Sequence, residues 1–353
     1  MLKKMNKTTK SNLITYGIVI VAFAVMQTLI STGSISSLLE GLMVPLCIYI
    51  ILAVSLNLVV GILGELSLGH AGFMCVGAFT SAFFSKCMRD VITIAPLRFI
   101  LALLIGMAVA AVFGIIIGIP VLRLRGDYLA IVTLAFGEII KNLVNVLFIG
   151  KDSSGFHFST KDVMDLNMEA DGTVLVNGPQ GITGTPKDST FLIGVILILI
   201  TLFIVINMVN SRDGRAIMAI RDNRIAAESV GINVTKYKLM AFTVSAALAG
   251  AAGVLYAHNL STLTANTNNF GYNMSINILV FVVLGGIGSI RGSMIAAVVL
   301  TLLPELLRGL SDYRMLIYAI VLILMMLFNW SPKAIEWREK YLSFGKKKKE
   351  AVK

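Results

Sequence analysis

Residues 211–238 read SRDGRAIMAIRDNRIAAESVGINVTKYK, a polar stretch that separates two long apolar runs. It carries six basic residues and contains the short amphipathic segment DNRIAAESVG at positions 222–231. Asp222 is of a residue type that caps the start of a helix, and Gly231 is of a type that ends one. The stretch therefore predicts a short capped helix in a polar loop between two helices buried in a membrane.

The rest of the chain is apolar enough to lie in a membrane. Of its 353 residues, 57% are hydrophobic and only 14% are charged, whereas about 25% of the residues of a soluble domain are charged. Ten apolar windows are long enough to predict helical spans. They cover residues 13–31, 42–63, 66–85, 98–120, 128–149, 190–209, 238–258, 275–290, 293–310 and 314–330. We expect an all-α integral membrane protein of about 8–10 transmembrane helices.

Two of these windows contain glycine-rich segments. They read GELSLGHAGFMCVGAF at 64–79 and GGIG at 285–288. Glycine weakens a helix, and it also lets two helices pack closely. Each segment is therefore predicted to be either a tightly packed helix or a broken or re-entrant one. The two segments are also candidates for counterparts in two halves of the protein.

The distribution of Lys and Arg predicts the orientation of the spans. With ten spans and a cytoplasmic N-terminus, 21 of the 30 Lys and Arg residues lie in cytoplasmic segments and eight in outer ones. Such an excess is typical of cytoplasmic loops. We therefore expect 1–353 to form a single transmembrane domain in which 1–10, 211–237 and the basic tail 331–353 are cytoplasmic and 150–189 is outside.

The outer loop 150–189 is the longest connection between predicted spans. It is rich in acidic residues and ends in the turn-rich segment GPQGITGTP at 178–186. Structureless loops of this length are uncommon in compact domains. The loop is therefore expected to have some fold or a docking role.

Polar side chains inside predicted spans are candidates for function, because ionisable groups are costly in a membrane. Glu138 and Lys141 are three residues apart and lie on one helix face, where they can pair. They either line a translocation path or form an ion pair that fixes helix packing, and both interpretations stay open. Asn142 extends the same polar stripe. Asn57 and His70 are further candidates for the path, although a lone Asn or His in such a helix more often only hydrogen-bonds a neighbour.

The sequence lacks the signatures of enzymes and of metal sites. Cys47, Cys75 and Cys87 have neither paired nor metal-ligand spacing. Neither a His-Glu-x-x-His motif nor a phosphate-binding Gly-x-x-x-x-Gly-Lys-Ser/Thr motif is present. We therefore expect no catalytic residue, no metal, no cofactor and no ATP hydrolysis by this chain. Its basic residues flank apolar spans, which indicates contact with anionic lipid and not with nucleic acid.

Four segments carry a family resemblance. They are LNLVVG (56–61) with LSLGHAGF (66–73), RLRGDYLAIVTLAFGEII (123–140), the polar stretch as far as Phe242, and LGGIGSIRG (284–292). In these segments the chain resembles the LivM-type membrane permeases of branched-chain amino acid ABC importers. The resemblance implies a LivH-type homologous permease partner, two cytoplasmic ATP-binding subunits, an extracytoplasmic substrate-binding protein and a place in the bacterial inner membrane.

The resemblance also implies a role for the short helix. ABC importer permeases dock their ATPases through a loop of the form Glu-Ala-Ala-x-x-x-Gly, and the corresponding segment here is IAAESVG at 225–231. Ile225 replaces the glutamate, which removes a charged contact from the first position. The small alanines are expected to let the helix seat in a groove of the ATPase. The expected ATPase-coupling residues are Asp222, Ala226, Ala227, Glu228 and Gly231.

The family resemblance favours an importer of leucine, isoleucine and valine, and two alternatives remain open. A related permease for urea or short-chain amides would have similar spans, because importers of this kind draw much of their specificity from the binding protein. An ion-coupled secondary transporter would need a coupling-ion site in the membrane. Glu138 and Lys141 are the only convincing charged cluster for such a site, and the polar stretch would then have no evident role.

Overall fold

The computed structural model describes residues 7–327, apart from positions 34–35, 90, 125, 169–171, 308–312, 314–315, 318, 321 and 325–326. The predicted tail 331–353 lies outside the described residues, as does most of the tenth predicted span. The described helices are α1 (Lys7–Ser31), α2 (Ser37–Asn57), α3 (His70–Cys87), α4 (Ala95–Val121), α5 (Asp127–Val146), α6 (Phe191–Asn210), α7 (Arg212–Asp222), α8 (Arg224–Ser229), α9 (Val234–Ala257), α10 (Thr267–Phe270), α11 (Tyr272–Gly285) and α12 (Ile290–Leu306).

Six of the described helical segments are long and apolar enough to cross a membrane. They are Asn12–Ser31, Ser37–Leu63, Ala95–Val121, Tyr128–Val146, Phe191–Asn210 and Val234–Ala257. The shorter helices α3, α11 and α12 occupy the remaining predicted windows up to residue 310. The expectation of an all-α membrane protein is therefore confirmed. The fifth window is wrong at its end, because the chain leaves α5 after Val146 and enters a strand at Phe148.

Helix α9 forms the centre of the bundle and packs against α2, α3 and α4. Small residues let these helices approach closely. A Cβ atom at Gly77 of α3 would lie 2.5 Å from the Cα atom of Gly250 in α9. The two backbones are therefore in direct contact, as the glycine content of this region predicts.

The two glycine-rich segments are both broken between helices. Helix α2 continues as a π-helical turn, Leu58–Leu63, after which residues 64–69 are not helical and α3 begins at His70. The second break separates α11 from α12 at residues 286–289. The Oδ1 atom of Asn57 accepts a hydrogen bond of 2.9 Å from the backbone nitrogen of Gly288. The end of α2 thus contacts the second break, and the equivalence of the two breaks in two halves of the protein stays a prediction.

The loop at 150–189 has a fold of its own, as expected from its length. A three-stranded antiparallel sheet has the order β2-β1-β3, and a short second sheet pairs β4 with β5. The strands are β1 (Phe148–Lys151), β2 (Phe156–Ser159), β3 (Thr173–Asn177), β4 (Ile182–Thr183) and β5 (Thr262–Leu263). Because β5 lies between α9 and α10, the second sheet ties this loop to the segment that leads into α11.

Two polar contacts also hold this loop against the bundle. Lys86, near the end of α3, donates a 2.7 Å hydrogen bond to the backbone oxygen of Val174 in β3. Arg98, in the first turn of α4, forms a 2.8 Å ion pair with Asp188, and both side chains are largely buried. The loop is therefore a packed part of the molecule.

Candidate functional site

The polar stretch 211–238 contains two short helices, α7 and α8, before α9 begins. The start of α8 is capped by Asn223, whose Oδ1 atom accepts a 3.1 Å hydrogen bond from the backbone nitrogen of Ala226. The expectation that Asp222 caps this helix is wrong, because Asp222 is the last residue of α7 and pairs there with Arg221 at 2.9 Å. Asp222 and Asn223 are both of residue types that cap helices. Because α7 extends through Asp222, Asn223 is the residue that caps α8.

Gly231 terminates α8 as predicted. Its φ of +84° lies in the left-handed region that favours glycine. Its backbone nitrogen donates to the carbonyl of Glu228 at 3.0 Å, and the nitrogen of Ile232 donates to the carbonyl of Ala227 at 3.1 Å. This pair of hydrogen bonds is the Schellman arrangement, which satisfies carbonyl groups at a helix end.

The two alanines of α8 lie in different environments. Ala227 is only 3% exposed and packs in a small cluster with Ile220 of α7 and Val234 of α9. Ala226 is exposed. The expectation that both alanines face a partner is therefore wrong for Ala227, which faces this chain's own core.

Two large apolar side chains accompany Ala226 on the outside of α8. Ile225 is 79% exposed and Val230 is 74% exposed. Glu228, a predicted coupling residue, is exposed and pairs with Arg224 at 3.1 Å within the helix. We call Ile225, Ala226 and Val230 the outer surface of α8. The sequence motif did not indicate the two larger residues, although their apolar character in a polar loop was a usable signal.

Basic residues connect the polar stretch to the first glycine-rich break. Arg221, in the last turn of α7, donates a 3.0 Å hydrogen bond from Nη1 to the backbone oxygen of Gly61. Lys238 of α9 is buried and forms an ion pair with Glu65, which lies within the break. These two contacts link α7 and α9 to the end of the α2 segment and to the break that follows it. Sequence reasoning missed them, because the paired residues are far apart in the chain.

Asn57 and His70 are fully buried, and each makes a polar contact within the bundle. Besides accepting from Gly288, Asn57 donates from Nδ2 to the Oγ atom of Ser293 at 3.0 Å. The Nε2 atom of His70 lies 2.7 Å from the Oγ atom of Ser55. Both side chains thus link neighbouring helical segments, and neither reaches an open surface in this structure.

Glu138 and Lys141 form the ion pair that their spacing predicts. Both side chains also contact the segment that leads into α11. Glu138 accepts a 2.8 Å hydrogen bond from the backbone nitrogen of Tyr272, and Lys141 donates to the Oγ1 atom of Thr267 at 3.2 Å. The pair thus joins α5 to α10 and α11. Asn142 does not share these contacts and is exposed on the outside of α5.

Removing one charge of this pair is expected to cost more than removing both. Breaking a buried pair costs about 3–5 kcal/mol because one charge stays buried without its partner, and partial exposure of Glu138 lowers the cost. Glu138→Gln should therefore reduce thermal stability in detergent more than the double variant Glu138→Gln, Lys141→Met. Glu228→Gln, in the exposed pair on α8, serves as the control and should have little effect. A double variant at least as unstable as the single one would contradict a packing role.

Comparisons with known proteins agree with this architecture. A family model described as a branched-chain amino acid transport system permease component matches residues 38–328. The chain is 35% identical over 338 residues to LivM, a high-affinity branched-chain amino acid transport system permease protein of Salmonella typhimurium, with 93% of this chain and 75% of that protein covered. It is 37% identical over 298 residues to LivM of Escherichia coli, with 82% of this chain and 67% of that protein covered.

A second permease type is a more distant relative. LivH of Salmonella typhimurium, also a high-affinity branched-chain amino acid transport system permease protein, is 23% identical over 286 residues that cover 79% of this chain and 88% of that protein. No solved structure matches the chain significantly. The family model spans most of the helical bundle and both glycine-rich breaks. The chain therefore belongs to the family of branched-chain amino acid transport system permease components.

Proposed function

We propose that this chain is the permease subunit of an ATP-driven importer of leucine, isoleucine and valine in the bacterial inner membrane. It forms the translocation path with a homologous permease of the LivH type. Two cytoplasmic ATP-binding subunits drive it, and an extracytoplasmic binding protein delivers the substrate. The names of its relatives support the substrate class, and the likeness to both LivM and LivH supports a pair of homologous permeases.

The exposed outer surface of α8 is the observation that best supports coupling to ATPases. Ile225 and Val230 are apolar, almost fully exposed and located in a basic loop. Large apolar side chains exposed together commonly mark a protein interface. The ATPase-coupling site then consists of Ile225, Ala226 and Val230 at the contact, with Asn223, Ala227 and Gly231 shaping the helix behind it. Glu228 and Asp222 pair within this chain and act at its rim.

The contacts behind α8 provide a route for movement. Because Ala227 packs against Ile220 and Val234, α8 moves together with α7 and the start of α9. Closure of the ATPases around ATP would displace these helices, and rigid-body motions of this kind are common in transport proteins. Arg221 would transmit the displacement to Gly61, in the π-helical turn just before the first break.

The predicted path residues divide into three groups in this proposal. Asn57 and His70 hold the broken segments in place, since both are buried and bonded to neighbouring helices. Glu138 and Lys141 fix the position of α11 relative to α5. Asn142 alone is exposed and remains a candidate to line the path.

The proposed orientation places 1–10, 211–237 and 331–353 in the cytoplasm and 150–189 outside. It predicts that a cysteine at Thr160 is labelled in intact cells by a membrane-impermeant thiol reagent, whereas a cysteine at Ser229 is labelled only after lysis. Both sites are exposed. The three native cysteines are buried, and their replacement by alanine removes background. Labelling at position 229 alone in intact cells would reverse the orientation.

Transport by the assembled complex tests the function directly. The chain is expected to copurify with a second permease and ATP-binding subunits, and vesicles containing the complex and its binding protein should accumulate radiolabelled leucine only with ATP. Unlabelled isoleucine and valine should compete, and urea should not. Uptake that depends on an ion gradient and not on ATP would overturn the proposal. Competition by urea or acetamide alone would replace its substrate class.

A further inference from the structure

Helix α11 has a polar face that is turned away from its own bundle. The buried residues of this helix are Met274, Ser275, Ile278, Phe281, Val282 and Leu284. On the other side, Asn273 and Asn277 are one helical turn apart, and Ile276 lies beside them. Asn277 is exposed, and Ile276 is 42% exposed. An apolar helix thus presents two amides to its surroundings.

These amides cannot face lipid without loss of hydrogen bonding. Asn277 is the sixth residue of a helix of 14 residues, so it lies about 8 Å from the start of α11. Within the described residues its side chain makes no hydrogen bond, whereas polar side chains at membrane depth almost always face a protein interior or a water-filled cavity. The polar face of α11 therefore borders water or a partner permease.

The same face borders an open cavity of about 330 Å³. Its lining residues are Asn268, Asn273, Ile276 and Asn277. The Nδ2 atom of Asn273 donates a 3.2 Å hydrogen bond to the Oδ1 atom of Asn268, which joins α10 to the first turn of α11. Three asparagines and one aliphatic side chain thus meet at a single cavity.

Contacts with α5 hold the start of α11 in place. Glu138 accepts a hydrogen bond from the backbone of Tyr272, the residue before Asn273, and Lys141 contacts Thr267, the residue before Asn268. The ion pair on α5 therefore holds both asparagine-bearing segments. A small number of polar groups held by surrounding contacts is typical of ligand sites.

We infer that Asn268, Asn273 and Asn277 form a substrate-contact site on the translocation path, at the interface with the partner permease. This inference rests on the proposed function. An amide side chain both donates and accepts hydrogen bonds, so the three asparagines can bind the carboxylate and the ammonium group of a zwitterionic amino acid. Ile276 offers a contact for an aliphatic side chain. None of the described residues that line the cavity is charged, so the site would bind a zwitterion without a strong ion pair and allow its release.

The test uses the complete complex with its partner permease, ATP-binding subunits and binding protein in vesicles. Asn277→Leu and Asn273→Leu should each reduce the uptake of radiolabelled leucine by roughly tenfold or more, because a charged group of the substrate loses a hydrogen-bonding partner. ATP hydrolysis stimulated by the loaded binding protein should persist. Asn266→Leu is the matched control, since Asn266 is exposed in the same segment but does not line the cavity, and it should transport normally.

Wild-type uptake in both cavity variants would overturn the inference. So would an equal loss of uptake in the Asn266→Leu control, because the segment as a whole would then be responsible. If the wild-type complex itself did not take up leucine, that result would instead contradict the proposed function.

The smaller substitution Asn277→Cys tests the inference even if the leucine variants fail to assemble. Asn277→Cys should react with a water-soluble methanethiosulfonate reagent in the assembled complex, and leucine supplied during turnover should slow that reaction. A cysteine that stays unreactive in the resting and ATP-driven complex would place position 277 against lipid or a dry interface and overturn the inference. The reactivity of the cysteine at position 277 can be measured whether or not the variant transports leucine, and only the protection by leucine requires turnover.

Discussion

Replacing Ala226 by arginine is expected to abolish leucine uptake and binding-protein-stimulated ATP hydrolysis, while the permease still folds and inserts. Ala226 is exposed beside Ile225 and Val230 on the outer surface of α8. An arginine there would become a buried charge without a partner in an apolar contact, at a cost of about 3–5 kcal/mol. Such a cost corresponds to a loss of ATPase affinity of roughly two to four orders of magnitude. Copurification of the ATP-binding subunits, uptake and ATP hydrolysis measure the effect.

Two further substitutions identify the cause of such a loss. Thr235→Arg adds the same charge at an exposed position in the first turn of α9, and it should leave coupling intact. Ala227→Arg forces a charge into the cluster with Ile220 and Val234, and it should lower the thermal stability of the isolated permease. Uptake at the wild-type rate by the Ala226→Arg complex would mean that α8 is only a solvated connection.

Replacing Gly77 by leucine is expected to prevent the bundle from forming. A Cβ atom there would lie 2.5 Å from the Cα atom of Gly250, and a backbone cannot move aside as a side chain can. The cost should exceed the about 1–3 kcal/mol that overpacking of a core typically causes. Size-exclusion chromatography in detergent, with thermal denaturation of any soluble fraction, measures the outcome.

Gly41→Leu is the matched control for this substitution. Gly41 also lies within a helix, and no atom lies within 4 Å of a Cβ placed there. This variant should fold like the wild-type protein. Equal behaviour of the Gly41 and Gly77 variants would show that α3 and α9 tolerate separation, contrary to the packing seen here.

The helices could largely be predicted, because apolar length is a local property of the chain. The window 238–258 gave the central helix α9 to within a few residues. Glycine content at 64–79 indicated close packing or a break, and the structure contains both. The contact of Gly77 with Gly250 and that of Asn57 with Gly288 could not be predicted, since each joins residues more than 150 positions apart.

The candidate site was predictable in part for a similar reason. The spacing of Glu138 and Lys141 was sufficient to predict their pairing, since one helical turn separates them. The motif at 225–231 located α8 but not the directions of its alanines, because those depend on how Ile220 and Val234 pack. The asparagines at 273 and 277 also carry a readable signal in the sequence, namely two amides at helical spacing in an apolar segment.

The burial of Ala227 and the exposure of Ala226 bear on how this protein and its partners can change together. Under the proposed docking, a larger residue at position 226 meets only the ATP-binding subunit, so a complementary substitution in that subunit can restore the fit. Position 227 is enclosed by Ile220 and Val234, so only a compensating change within this chain can restore it. Exchanging ATP-binding subunits between related importers should therefore require adaptation at positions 225, 226 and 230, and none at 227.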